Sequence, residues 1–178
     1  MSVARKMVQT RGYAGLSFRE LAKEVGIKSA SIHYHFPTKG DLGAALARRY
    51  TEDGAEYLAG LRAKSDDPEV WIKGYTDVFR MALVDDNRMC LCGIMSAEYD
   101  DLPEEVRVQV DNFTDVNVRW LTEVLSVCRP THSPEAREQQ ALAIYAAVEG
   151  AQLVSRGRAD ISVFDRTIEA YRTAGLIP

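Results

Sequence analysis

Residues 17–42 read SFRELAKEVGIKSASIHYHFPTKGDL. Their local chemistry predicts two short helices joined by a glycine turn, with a third helix starting at once. Ser17 is a helix-capping residue, and Glu20, three positions on, can reach back to complete a capping box. Phe18, Leu21, Ala22 and Val25 recur at helical spacing and give the first of these helices an apolar face. Gly26 supplies the turn, because glycine takes positive φ at little cost. In the second helix, Ile27, Ala30 and Phe36 are expected to face the same small core. Lys28, Ser29, Ser31, His33 and Tyr34 then point outward. Thr38 caps the third helix, with Asp41 three residues later.

A helix pair joined by a short glycine turn, with a polar second helix, has the shape that enters a DNA major groove. Charge agrees with that reading. Residues 1–50 carry nine Lys/Arg and three Asp/Glu, a net +6, whereas residues 51–178 carry 13 and 23, a net −10. A polyanion is drawn to the first fifty residues and repelled by the rest. The overall net charge of −4 conceals this split.

Outward from that stretch, every segment reads as helix. Residues 3–11 form a first helix with Val3, Ala4, Met7 and Val8 inward, ended by Gly12; it is short, and no basic arm precedes it. The helix from Thr38 is expected to reach Ala63. Asp67-Pro68 and Ser133-Pro134 are caps followed by proline at the first helical position. They open helices to about Val84 and through Val154. A short helix is expected from Gly93, another after Asp101-Leu102-Pro103, and a last one capped by Ser162 with Asp165. No segment alternates with the period of a strand. The chain therefore reads as all-α, with about nine helices: a three-helix head over residues 1–50 and a ligand-binding and dimerisation body over residues 51–178. No apolar run is long enough for a membrane span, and the N-terminus lacks the apolar region of a signal peptide. Three cysteines, an odd number with no export signal, point to a reduced, cytoplasmic protein.

The run Gly12-Tyr13, Ser17, Leu21-Ala22, Gly26-Ile27, His33-Tyr34-His35-Phe36, Lys39 and Leu42 resembles the DNA-binding signature of TetR-family transcriptional regulators. The resemblance covers about the first fifty residues. It implies a homodimeric repressor on a palindromic operator, released by a ligand, with the dimer built from the last two long helices. Two positions depart from the pattern: His33 stands where tyrosine is usual, and Lys28 where a Ser/Thr cap is usual, so that Ser29 is expected to take over the cap.

The residues that would carry this function follow from their types. Ser17 and Lys39 start helices, where side chain and backbone N–H together hold phosphate. Arg19 and Lys28 suit phosphate or a guanine edge, and Ser29, Ser31 and Tyr34 suit base edges or a thymine methyl. The resemblance places His33 and His35 near phosphate. Their i, i+2 spacing puts the two rings on different helix faces, which argues against a metal pair. No metal or cofactor motif stands elsewhere, and no nucleophile–base pair or phosphate loop supports an enzyme; His132 is isolated in a loop.

In the body, Trp71, Tyr75, Phe79, Met95, Tyr99, Phe113, Asn117 and Trp120 are candidates to line a pocket for a small, largely apolar effector. Cys90 and Cys92 are candidates for a covalent switch, for which the effector would be electrophilic or oxidising. The Cys-Leu pair, the small-residue helix after it and Ala97-Glu98 resemble a body motif of TetR members that include such sensors. A helix N-terminus or Arg88 would favour the reactive thiolate, whereas burial would make both cysteines packing residues. Tyr145, Val148, Ala151 and Val154, with Ile168 and Tyr171, are the candidate dimer face; packing within the chain is the alternative.

Overall fold

Local signals set most helix ends. The computed structural model describes residues 1–178, which form nine α-helices and a 3-10 turn at Tyr99–Asp101. The helices are α1 Ser2–Arg11, α2 Phe18–Val25, α3 Ser29–His35, α4 Lys39–Lys64, α5 Pro68–Val84, α6 Leu91–Ser96, α7 Glu104–Cys128, α8 Pro134–Arg158 and α9 Ile161–Thr173. Thr38 and Asp41 form a reciprocal capping box. The Thr38 N–H donates to the Asp41 carboxylate at 2.9 Å, and the Asp41 N–H to the Thr38 hydroxyl at 3.0 Å. Asp67 accepts from the Glu69 N–H at 2.9 Å, and Ser133 from the Ala136 N–H at 3.2 Å.

Two caps differ from expectation. Glu20 does not return to Ser17; its carboxylate pairs with Arg11 at 2.6 Å, leaving only the long Glu20 N–H to Ser17 hydroxyl contact of 3.4 Å. The α9 cap is Asp160, whose carboxylate accepts from the Ser162 N–H at 2.9 Å. A carboxylate immediately before the helix accepts more strongly than a hydroxyl two residues into it.

The chain divides into two compact units: residues 1–52 with 90–113, and residues 53–89 with 114–178. Helices α4 and α7 each contribute residues to both units, α4 changing over after Glu52 and α7 after Phe113. In the first unit, Ala4, Met7 and Val8 of α1 are buried, as are Leu91 and Met95 of α6, and these two helices pack together. In the second unit α8 packs on both α5 and α9. Gln152 is fully buried there and donates its amide to the Phe79 carbonyl at 2.7 Å. A buried amide with such a partner holds register between two helices as well as filling space. Arg80 of α5 grips Asp165 of α9 through two bonds of 2.7 and 3.0 Å. No helix is long and apolar enough to cross a membrane.

Candidate nucleic-acid interface

The head is held by its turns. Gly26 ends α2 in the left-handed conformation, and its N–H and that of Ile27 both return to the Ala22 carbonyl at 3.0 Å. Only Ile32 of α3 is buried. Val25 and Ile27, expected in the core, are each 47% exposed, and Ala30 is exposed too. Helix α3 has just seven residues, and its contact with α2 is too short to cover more than one of its apolar side chains. The turn therefore presents apolar as well as polar surface.

The cap of α3 is also bare. Lys28 occupies the cap position without a side-chain bond, and Ser29 is already the first helical residue rather than the cap. The Ser31 N–H turns back to the Lys28 carbonyl at 2.9 Å, so no side chain caps the Ser29 and Ala30 N–H groups at the start of α3.

The remaining head candidates lie as follows. Ser31, His33, Tyr34 and His35 are exposed, and Tyr34 reaches 84% exposure. The His33 ring lies edge-on to Phe18 with centroids 4.5 Å apart, which ties α3 to the start of α2. Arg19 is exposed and Ser17 half-buried. Lys39 is half-buried: its ammonium donates to the Ala14 carbonyl at 3.0 Å and lies 4.6 Å from the Tyr13 ring centre. Burial lowers its pKa from the ordinary lysine value, against the opposing pull of Glu98. Lys39 therefore braces the turn between α1 and α2 and leaves its helix start, more than its charge, on offer.

The same turn is clamped from the 90–113 segment. The Tyr13 N–H donates to the Glu98 carboxylate. Burial, reinforced by Glu105, pushes the Tyr13 phenol up to about 12. Sequence reasoning missed Glu98 and Glu105 as parts of the head. Glu98 lies 85 residues from Tyr13 in the chain, and no local pattern links either carboxylate to the turn.

Residues 1–46 match the family described as bacterial regulatory proteins, tetR family. The crystal structure of a TetR transcriptional regulator from Legionella pneumophila is 29% identical, with a TM-score of 0.90 over 97% of this chain and 93% of that one.

The first 46 residues thus match the DNA-binding module of the TetR family.

Two regulators known by name are similar to this chain. The negative regulator IcaR of the biofilm operon icaADBC in Staphylococcus epidermidis is 25% identical over 124 residues. That match takes in 68% of this chain but 63% of IcaR, so the chain spans less than two thirds of that relative. The transcriptional regulator LmrA of Bacillus subtilis is 24% identical over 159 residues, 87% of this chain and 83% of LmrA.

The body candidates fall into separate sets. Met95, Tyr99 and Phe113 belong to the first unit, and Trp71, Tyr75, Phe79, Asn117 and Trp120 to the second. Within the second unit these five are buried. Tyr75 stacks on Trp120 at 5.5 Å and lies 5.3 Å from Phe79. The Trp71 indole donates to the Ser65 carbonyl at 2.6 Å. These aromatics fill one another's space, so each has a packing role. Tyr99 is partly exposed, and its hydroxyl bonds the Asp111 carboxylate at 3.0 Å.

An open groove of about 340 Å³ lies beside Trp120, lined by Ala55, Leu58, Ala59, Arg62, Val116, Arg119 and Glu123. Apart from Trp120, none of these stood out in the sequence. Their spacing of three and four along α4 and α7 was the available signal, and it reads equally as ordinary helix packing.

Cys90 is 1% exposed, and Cys92 is fully buried. Burial first, and then the neighbouring Cys90, to whose sulfur the phenol O–H donates, drive the Tyr50 phenol well above its ordinary range. Arg88 is engaged elsewhere, in a two-bond pair with Asp85 at 2.7 Å. Of the six dimer candidates, Tyr145, Val148, Ala151 and Ile168 are buried within the chain and Tyr171 is half-buried; Val154 is exposed.

Proposed function

We propose that this chain is a homodimeric DNA-binding repressor released from its operator by a small molecule bound in the second unit. The observation that carries the reading is α3: a short helix with polar and aromatic side chains facing solvent, no side-chain cap, and basic residues beside it. Such a surface has little use in the fold and suits a groove of DNA. The family match over residues 1–46 supports it, as do the names of the similar regulators.

The test is binding to the DNA immediately upstream of the chain's own coding region, titrated with salt. Affinity should fall steeply as salt rises. Arg19→Ala and Lys28→Ala should each flatten the log–log slope by about 1 if they meet phosphate. A sequence-independent affinity with no operator preference would defeat the reading.

The second copy is expected on α8. Leu142, Leu153 and Val154 are each more than half exposed. With Ala143, Ala146, Gly150 and Gly157 they line one face of the helix, opposite the buried Ile144, Val148 and Ala151. A side chain added at Gly150 or Gly157 would meet nothing in the chain. This apolar, small-residue stripe lets a symmetry-related helix approach closely, and a two-fold pair presents two recognition helices to two half-sites. Leu153→Glu should convert the dimer to a folded monomer in sedimentation velocity and abolish operator binding. An unchanged dimer would place the interface elsewhere.

A covalent switch at Cys90 finds less support. A thiol 1% exposed is poorly placed to meet an electrophile. Reversible binding at the open groove needs no such opening.

A further inference from the structure

The groove beside Trp120 has a chemical character that its helices do not share. Its walls are apolar along Ala55, Leu58, Ala59 and Val116, yet its rim carries two guanidinium groups, Arg62 and Arg119, against one carboxylate, Glu123. Arg62 is committed: it pairs with Glu123 at 2.6 Å and lies 5.3 Å from the Trp71 ring centre. That pair cancels the only negative charge in the lining. Arg119 is exposed and makes neither an ion pair nor a hydrogen bond. The indole N–H of Trp120 is buried, also without an acceptor. One uncancelled positive charge thus borders an apolar groove, in a part of the chain whose net charge is strongly negative.

We infer that the groove takes an amphipathic carboxylate, its hydrocarbon portion along Leu58 and Val116 and its carboxylate on Arg119. Such a ligand supplies what the site lacks, an acceptor for a fork of N–H donors and apolar cover for the walls. An alcohol of the same length supplies only the apolar half, and an amine meets repulsion. The inference rests on the reading that the second unit binds an effector, and it names the effector's chemical class. It also suits regulation, since the two helices that line the groove, α4 and α7, are the two that continue into the first unit.

The test is calorimetric titration of the full chain with octanoate, octan-1-ol and octylamine. Octanoate should bind at least about tenfold more tightly than either control, the size of effect expected for one charge-assisted hydrogen bond. Arg119→Gln should weaken octanoate by about tenfold or more and leave octan-1-ol unchanged. Glu123→Gln frees Arg62 and should tighten octanoate severalfold. Both side chains are at the surface, so both variants should fold. No binding of octanoate, equal binding of the three probes, or an Arg119→Gln variant with undiminished octanoate affinity would overturn the inference. Repeating the titration on the operator complex separates the two readings. Octanoate that binds and releases DNA supports both. Octanoate that binds with the same charge dependence but leaves the DNA bound keeps the carboxylate site and removes the release mechanism.

Discussion

Gly12→Ala is expected to lower the melting temperature by roughly 10 °C and to remove operator binding with it. Gly12 has φ 77° and ψ 176°, a conformation essentially reserved for glycine, and forcing another residue into it costs about 1–3 kcal/mol. The new methyl group would also fall inside contact distance of the Glu98 carboxylate. That carboxylate is already engaged, accepting the N–H of Tyr13. Moving it away forfeits a charge-assisted hydrogen bond worth about 1.5–3 kcal/mol. Together the losses come to about 3 kcal/mol or more. The turn they affect also carries the Lys39 brace on Ala14. Thermal unfolding by circular dichroism measures the first effect and fluorescence anisotropy on operator DNA the second. In a Glu98→Ala background, the further cost of Gly12→Ala should shrink to backbone strain alone, because the clash and the bond are already gone. Full cost in that background would show that Glu98 is not what Gly12 accommodates.

Tyr34→Ala should do the opposite: leave the fold untouched and cripple recognition. The ring is 84% exposed, and its aromatic contact is with the edge of His35, at 5.2 Å between centroids. Truncation should therefore shift stability by no more than about 0.5 kcal/mol. If the ring lies against a base edge or a thymine methyl, the loss of about 2 kcal/mol of contact weakens operator binding by roughly thirtyfold. Anisotropy at one fixed salt concentration, beside a melting curve, reads both quantities. Undiminished affinity for the operator would mean that α3 does not present Tyr34 to DNA. A large drop in melting temperature would mean that Tyr34 supports the fold instead.

Signals between residues close in the chain are legible in the amino-acid order alone. Thr38 with Asp41, Asp67 with Pro68, Ser133 with Pro134 and the left-handed turn at Gly26 each act across four residues or fewer, and the helices start and stop where they say. The head's charge is equally plain, since it needs only a count. Where two local signals compete, the nearer side chain is a poor guide. Glu20 could serve Ser17 or Arg11, and only the packing of α1 beside α2 brings Arg11 within 2.6 Å. At the last helix, Asp160 and Ser162 are both plausible caps, and the carboxylate takes the role.

What sequence by itself determined, then, was the set of helices, their order, the helix-turn-helix and the division of charge, because each depends on neighbours three or four residues away or on composition. The tertiary structure decided which faces those helices bury. Helix α8 is apolar on two sides, so its periodicity could not say that Val148 and Ala151 pack inward while Leu153 and Val154 face out. Val25 and Ile27 carried the hydrophobicity of core residues and still face solvent, because the short α3 covers only Ile32. Cys90 read equally as a switch or as a packing residue, and it is buried beside Tyr50. Arg119 carried no local mark and Glu98 only that of a body motif, since their meaning comes from an apolar groove in one unit and from Tyr13 in the other. Burial and charge pairing are set by partners far away in the chain, and hydrophobic patterning records only that a side chain is suited to a partner.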